Sequence, residues 1–373
     1  MGSLAVGLDF RPALSRATGV GRYFQGLVSG LERVDSESTY VLFSSSLKER
    51  PRREKRPPNF QLVDRRVPVR ALNLLWHRFG APSFETLVGR SVDVVHSPTP
   101  LLVPSRHARS IVTIHDLFFL DRPAATRAEI RRDYAALARE HAKRADAILA
   151  VSETTARDAA ERLEVAEDRI TVIHAGVDEC FRDGRAATDP EPPRSPYLFT
   201  VATQEPRKNL PRVIEAIAIL VRRGWDGRLL IAGGPGLDTP EIDERIERFQ
   251  LRAKVEKLGY VDAGQLPSLY RGARAVVQVS LWEGFGLPVL EAMASGAPVV
   301  ASDIPVHREV AGEAALFVPC SDPEAIAGGI EKLWSDDAVR SRLVTAGRER
   351  AARFSWEGSA RKAIDLYRRV GAS

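Results

Sequence analysis

Two carboxylates eight residues apart, Glu283 and Glu291, stand in the stretch Ser280-Leu281-Trp282-Glu283-Gly284-Phe285-Gly286-Leu287-Pro288-Val289-Leu290-Glu291. Gly284 and Gly286 let the backbone come close to a ligand. The apolar, β-branched run Ala275 to Val279 before it predicts a buried parallel strand. Leu287 to Ala294 predicts a helix, with Pro288 in the first turn, where a missing N–H costs little. A strand, a glycine loop and a helix N-terminus together have the general design of an anion site, to which Gly284 to Leu287 would offer backbone N–H groups; the alternative is an ordinary βα turn, with Glu favoured near a helix N-terminus for its dipole alone. Helical side chains tilt toward the helix N-terminus, so Glu291 is directed back to the loop. Its oxygens only accept hydrogen bonds, which suits the hydroxyls of a ribose.

A second loop supplies cations. In Glu205-Pro206-Arg207-Lys208-Asn209, Arg207 and Lys208 sit between a strand and a helix. Positive charge there opposes the helix dipole, so a bound anion such as a pyrophosphate accounts for the pair better than solvent does. In the first half, His115 ends an apolar run and opens a loop with Asp116. Gly19-Val20-Gly21 lies at another strand-to-helix turn but lacks the third glycine of the dinucleotide fingerprint. There is no Asp-x-Asp, no His/Cys/Asp ligand spacing, no Gly-x-Ser-x-Gly and no Walker A, so no metal is expected.

The elements that must hold these residues alternate. Strands are expected at Leu4–Phe10, Tyr40–Ser44, Val92–His96, Ser110–His115, Ala147–Val151 and Ile170–Ile173. Helices fall between, one of them spanning about Ala124 to Lys143 and one capped by Ser152. A Pro-, Gly- and charge-rich stretch from His174 to Pro196 reads as a linker. A second series follows: Tyr197–Ala202, Arg228–Ala232, Val255–Val261, the Ala275 strand, Pro298–Ala301 and Ala315–Val318, then helices to the end. The alternation predicts parallel, doubly wound α/β sheets, with ligands at the strand C-termini. Two departures stand out. Lys48 to Arg70 is a basic, proline-bearing connector, either a solvated loop or a face for anionic lipid or a phosphorylated acceptor. Leu74-Leu75-Trp76-His77-Arg78-Phe79 is an aromatic, basic patch that belongs to the core or to an acceptor or membrane face.

A chain of 373 residues suits two domains, and 44% hydrophobic with 28% charged residues is a globular composition. No apolar run nears the roughly 20 residues of a membrane span. No signal-peptide pattern is seen, and the two cysteines, Cys180 and Cys320, fit a reducing compartment, so a cytoplasmic location is expected. A net charge of +5 and a pI near 9.3 point to an anionic partner. The aromatic–basic interleaving of a sheet that binds RNA or single-stranded DNA is missing, so nucleic acid is not expected.

Together the motifs resemble those of glycosyltransferase family 4. They are Thr18-Gly19-Val20-Gly21-Arg22-Tyr23, Thr113-Ile114-His115-Asp116, Val151-Ser152-Glu153, Glu205-Pro206-Arg207-Lys208-Asn209, Gly259-Tyr260-Val261 and Glu283 to Glu291, in the family's order along nearly the whole chain. The first, the fourth and Phe354-Ser355-Trp356 are similar to the branch with bacterial mannosyltransferases of polysaccharide and glycolipid assembly. The resemblance implies a GT-B fold of two Rossmann-like domains facing across a cleft. Residues 1–185 would bind acceptor and 186–352 the nucleotide sugar, with 353–373 a helix crossing back to the first domain.

It implies a retaining hexosyl transfer without metal or cofactor, with GDP-mannose placed first as donor and a UDP-sugar second. Arg207 and Lys208 would stabilise the leaving diphosphate, Glu283 would face the donor sugar, and Glu291 would hold the ribose. The backbone of Gly284, Phe285, Gly286 and Leu287 would contact sugar and phosphates. Gly19, Val20 and Gly21 would lie against the diphosphate or acceptor, His115 would bond a sugar hydroxyl, and Tyr260 and Val261 would flank the base. The acceptor would be a glycan or a polyprenyl-diphosphate-linked sugar, with peripheral contact to anionic membrane through segment 48–70. Rival readings are a non-transferring GT-B epimerase, a nucleic-acid binder suggested by the pI alone, and an inactive scaffold.

Overall fold

The computed structural model describes residues 3–14, 18–47, 50–51, 55–122, 133–182 and 195–372. The chain divides into two units, Met1–Gly176 with Ser355–Ser373, and Val177–Phe354. The expected first boundary, 185/186, lies outside the described residues, as do residues 124–132 of the expected Ala124–Lys143 helix; its C-terminal part is seen at Tyr134–Arg144.

The first unit is built on a seven-stranded sheet in which every pairing is parallel. Its strands are β1 (Ala5–Asp9), β2 (Thr39–Ser45), β3 (Phe60–Arg65), β4 (Val94–Ser97), β5 (Arg109–Ile114), β6 (Ala147–Ala150) and β7 (Ile170–Val172), in the order β3-β2-β1-β4-β5-β6-β7. The order reverses direction between β1 and β4, which makes that the switch point where such sheets open a crevice at their C-terminal ends. Val6, Leu8, Val94, Ile111 and Ile148 are buried on faces covered by helices.

Helix α1 (Gly19–Val34) starts at Thr18, whose Oγ accepts from the Gly21 N–H. The C-terminal helix Trp356–Gly371 belongs to this unit and lies on α1. Glycines permit the approach. A Cβ on Gly26 would stand 2.1 Å from the Trp356 ring, and one on Gly30 2.3 Å from the Trp356 carbonyl oxygen. Tyr367 on the same helix hydrogen-bonds His96 Nδ1 at 2.7 Å, and His96 Nε2 reaches Thr113 Oγ at 2.8 Å, so helix, β4 and β5 are tied by buried polar groups.

One segment differs from expectation, and a second, left open between core and surface, joins the core on one face. The basic connector contains β3, an edge strand in register with β2 from Tyr40↔Phe60 to Ser45↔Arg65. Its side chains alternate only weakly between faces, Phe60 buried and Gln61 exposed but the next three half-buried, and the surrounding arginines and prolines obscure the pattern. Residues 48–49 and 52–54 of the connector lie outside the described residues. The aromatic patch is helix α2 (Val69–Phe79), and its faces part company. Leu72 and Trp76 enter the core beside Phe43 and Phe84, with the Trp76 indole N–H donated to the Pro82 carbonyl at 2.9 Å. Leu74 and Phe79 are exposed.

The second unit carries six strands: β8 (Tyr197–Val201), β9 (Arg228–Ala232), β10 (Val255–Gly259), β11 (Ala275–Gln278), β12 (Val299–Ser302) and β13 (Leu316–Val318). All pair in parallel, in the order β10-β9-β8-β11-β12-β13, with the switch point between β8 and β11. Leu198, Ile217, Leu229, Val277 and Ile330 are among its fully buried core. A helix at Pro305–Ala311, opened by Pro305, was not anticipated.

The α1 seam is testable. Gly30→Ala drives a methyl into a backbone carbonyl that no rotamer change can move. It is expected to destabilise the protein by about 1–3 kcal/mol, read as a lower midpoint in thermal unfolding; an unchanged midpoint would show that the seam relaxes freely.

Candidate active site

The loops after β8 and β11 leave the sheet at its switch point, and they are stitched together. After β8 the chain makes a single tight turn, Pro206–Lys208, and Asn209 follows in the left-handed region at φ 59°. Asn209 tolerates that conformation, and its amide donates to the carbonyls of Val279 (2.9 Å) and Cys320 (2.8 Å). The Leu281 N–H donates to the Arg207 carbonyl at 2.8 Å. After β11, Gly286 takes φ +97° and opens the helix Leu287–Ala294, with Pro288 in its first turn.

This stitching brings three charged side chains together. Lys208 Nζ lies 2.5 Å from Glu283 Oε1, and Arg207 Nη1 donates to Glu283 Oε2 at 3.2 Å. The Ser280 hydroxyl donates to Glu283 Oε1 at 2.7 Å. Arg207 also reaches Glu205, 3.3 Å away. The Glu283 and Lys208 side chains are only 8% and 9% exposed, so this is a buried pair rather than a surface one. Burial on its own would raise the Glu283 pKa, but Lys208, Arg207 and, to a lesser degree, His307 overcome it and bring the carboxyl down to about 2. Burial, helped by Arg207, pushes the Lys208 ammonium down, and Glu283 opposes the shift. The site therefore holds a carboxylate and two cations in a dry setting, an arrangement able to meet developing negative charge without reorganising.

Other expected residues fall around it. Glu291 is buried one turn into its helix, and the Tyr270 hydroxyl donates to its Oε2 at 3.1 Å. Phe285 is a core residue edge-on to Phe354, at 5.9 Å between centroids, so its side chain anchors the loop. Leu287 opens the helix. Tyr260, 55% exposed, and the half-buried Val261 follow β10 at its C-terminal end, after Gly259 in the left-handed region.

Two residues escaped the sequence reading. Tyr270 is one. The other is His307, buried under the loop, its Cδ2 3.2 Å from where a Cβ on Gly286 would stand. His307 Nδ1 lies 2.9 Å from Ser302 Oγ and 3.3 Å from the Ser302 carbonyl; the carbonyl can only accept, which places the proton on Nδ1. Burial lowers its pKa to about 4. The signal for it was a third strand-to-helix turn, Ser302 to Pro305, with the histidine two residues beyond.

The first-unit candidates lie at the start of α1 and the end of β5. Gly19, Val20 and Gly21 form the first turn of α1, where a Cβ on Gly19 would meet nothing within 4 Å. His115 Nε2 donates to the Pro98 carbonyl at 3.0 Å, and the ring stands edge-on to Tyr23 of α1, 5.2 Å between centroids. Burial lowers its pKa to about 4, so the imidazole is neutral and its Nδ1 is an acceptor.

The Glu283 cluster sets a pH dependence. A carboxyl held at about 2, against an ordinary value of 4.5, stabilises the fold fully above pH 4.5. That contribution is lost as the pH falls from about 4.5 to about 2. Glu283→Gln should cost on the order of 3 kcal/mol at neutral pH by leaving Lys208 short of its counter-charge. The gap between wild type and variant should close across that acid window in denaturant titrations; a gap independent of pH would contradict the buried pairing.

Among known proteins, the family described as Glycosyltransferase Family 4 matches residues 17–180, and the one described as Glycosyl transferases group 1 matches residues 186–350. The chain is 29% identical over 292 residues to the O-antigen chain mannosyltransferase B of Escherichia coli, covering 74% of each. It is 34% identical over 240 residues to a D-inositol 3-phosphate glycosyltransferase of Corynebacterium urealyticum, covering 60% of this chain and 57% of that protein. A sucrose-phosphate synthase from Thermosynechococcus elongatus superposes with a TM-score of 0.78 over 99% of both chains at 20% identity, which is evidence of fold. With two parallel-sheet units, cation-bearing loops at a switch point and family matches over both halves, the chain belongs to the family 4 glycosyltransferases of GT-B fold.

Proposed function

We propose that this glycosyltransferase moves mannose from GDP-mannose to a glycan or lipid-linked sugar, with retention of configuration and without a metal ion. The observation that carries the reading is the buried Arg207–Glu283–Lys208 cluster at the β8/β11 switch point. Mannose is favoured by the similarity to the O-antigen chain mannosyltransferase and, at 30% identity over 237 residues, to the serotype-specific mannosyltransferase WbdA of Escherichia coli, of which the chain covers 29%.

The chemistry follows from charge. Departure of a nucleoside diphosphate leaves negative charge on phosphate oxygen and positive charge at the anomeric carbon. Arg207 and Lys208 are already converged, and Glu283 is what lets two cations stay together. Retention through a covalent carboxylate would need a free nucleophile. Glu283 is poorly suited: Oε1 is held by Lys208 and Ser280, Oε2 by Arg207, and its basicity is low. Attack from the face the diphosphate leaves, with a phosphate oxygen taking the acceptor's proton, asks less of the protein. Neutral His115 would accept from a sugar hydroxyl, Glu291 from the ribose, and Tyr260 and Val261 would border the base.

A peripheral contact with anionic membrane, expected from segment 48–70, extends in this reading along α2. Val69, Leu74, Leu75 and Phe79 are exposed there, at 61% for Leu74 and 66% for Phe79, beside exposed Arg65, Arg66, Arg70 and Arg78. No Asp or Glu occurs from residue 65 to residue 79. Such a surface attracts anionic headgroups at about 1 kcal/mol per basic residue. No helix among the described residues is long and apolar enough to cross a membrane.

Thermal-shift titration with GDP, UDP and ADP tests the donor: GDP is expected to stabilise most, and no stabilisation by any of them would refute a nucleotide-sugar site. Lys208→Ala should lower transfer by about 100-fold or more, and excess chelator should leave the wild-type rate unchanged. A trapped sugar adduct on Glu283 would overturn front-face attack. For the membrane contact, vesicles rich in phosphatidylglycerol should retain the protein where phosphatidylcholine vesicles do not. Leu74→Ser with Phe79→Ser should abolish that difference; equal retention on both vesicle types would count against it.

A further inference from the structure

The first unit has its own switch point, between β1 and β4, and polar side chains gather at its C-terminal mouth. Asp9 ends β1 and is buried. Arg11 donates to both its oxygens, from Nε and Nη2, each at 2.8 Å. The third arm of the guanidinium, Nη1, donates to Asn73 Oδ1 of α2 at 2.9 Å, while Arg11 Cζ lies 4.2 Å above the Trp76 ring. One turn along α2 from Asn73 is His77, its ring 5.7 Å from that of His141, centroid to centroid. His141 comes from the helix Tyr134–Arg144, and the Leu102 N–H, in the loop after β4, donates to its Nδ1 at 2.9 Å. Two loops and two helices thus converge on one spot.

The two imidazoles are complementary and unfinished. A backbone N–H can only donate, so His141 Nδ1 carries a lone pair and its proton sits on Nε2. No described residue accepts that Nε2–H. His77 Nδ1 is buried with no partner among the described residues. A buried polar nitrogen without a partner is costly and is normally satisfied by something. One ring offers a donor and its neighbour an open nitrogen, the pattern that a hydroxyl, which both accepts and donates, satisfies.

Charge narrows the ligand further. The charged groups whose fields reach the two rings are Arg11 and Asp9 on one side, Glu140 and Arg144 on the other. Arg11 is saturated by Asp9, and Arg144 Nη1 is paired with Glu140 at 2.9 Å. Burial lowers both histidines, His141 to about 4, so neither supplies a cation at neutral pH. Among the described residues whose fields reach the two rings, no unspent positive charge remains for a phosphate.

We propose that Asn73, His77 and His141, backed by Arg11, form a subsite for the hydroxyls of an uncharged sugar, the accepting end of the glycan. The proposal rests on the transferase reading and sharpens it. It bears on two kinds of relative, one named for the O-antigen chain and one named for D-inositol 3-phosphate, a charged compound.

The test is a steady-state comparison on the full chain, using the nucleotide sugar that stabilises it most. Octyl α-mannoside and D-inositol 3-phosphate serve as acceptors for the wild type, His77→Leu and His77→Asn. The mannoside is expected to be the better acceptor. His77→Leu should raise its KM about tenfold, the loss of one hydrogen bond, with little change in donor KM. His77→Asn restores an oxygen near the Nδ1 position and should recover most of the loss. Preference for the inositol phosphate, an unchanged acceptor KM in His77→Leu, or equal losses in both histidine variants would overturn the subsite. A wild type that transfers sugar while showing any of these keeps the transferase reading and loses only this one; a wild type that binds no nucleoside diphosphate loses both.

Discussion

Two cations cannot share a buried corner unless something negative holds them there, and Glu283 does this for Arg207 and Lys208. The backbone around the trio follows from that need. Asn209 turns through the left-handed region to bond two carbonyls of neighbouring segments, Leu281 reaches back to Arg207, and Gly286 bends the chain into a helix. Each link joins the β8 loop to the β11 loop or its surroundings. The sheet order puts those loops side by side; the ion cluster explains why they are locked together rather than merely adjacent.

Much of this was legible in the residues. Glycine and proline mark the β11 loop and its helix because backbone geometry leaves few other choices there. The Arg207-Lys208 pair stood out because positive charge at a helix start is unfavourable without a partner. What the pair does with Glu283 was not legible. Some 75 residues separate them, and only the parallel pairing of β8 with β11 brings their loops together. Tyr270 and His307 were missed for the same reason: each acts on Glu291 or Gly286 through a fold contact that leaves no local pattern.

One edge was misread and one helix face was left open. β3 hides in a basic connector because Phe60 alone of its residues is buried and arginines and prolines flank it. α2 shows apolar residues on two sides, and the sequence does not say which side is core. Packing does: Leu72 and Trp76 go in, while Leu74 and Phe79 stay out. The inward side of the same helix also carries Asn73 to Arg11 and His77 to His141. One eleven-residue helix therefore serves core, polar mouth and exposed apolar face at once.

The seam between α1 and the C-terminal helix bears on synthesis. Gly26 and Gly30 face Trp356, yet all of the second unit is translated between them. Some 320 residues lie between the end of α1 and Trp356, so at ribosomal speeds of about 5–20 residues per second α1 waits roughly fifteen to sixty-five seconds for the helix that covers it. Through that interval the nascent first unit carries an uncovered stripe of small and apolar residues, and it is in this window that the young chain most needs shielding from other chains.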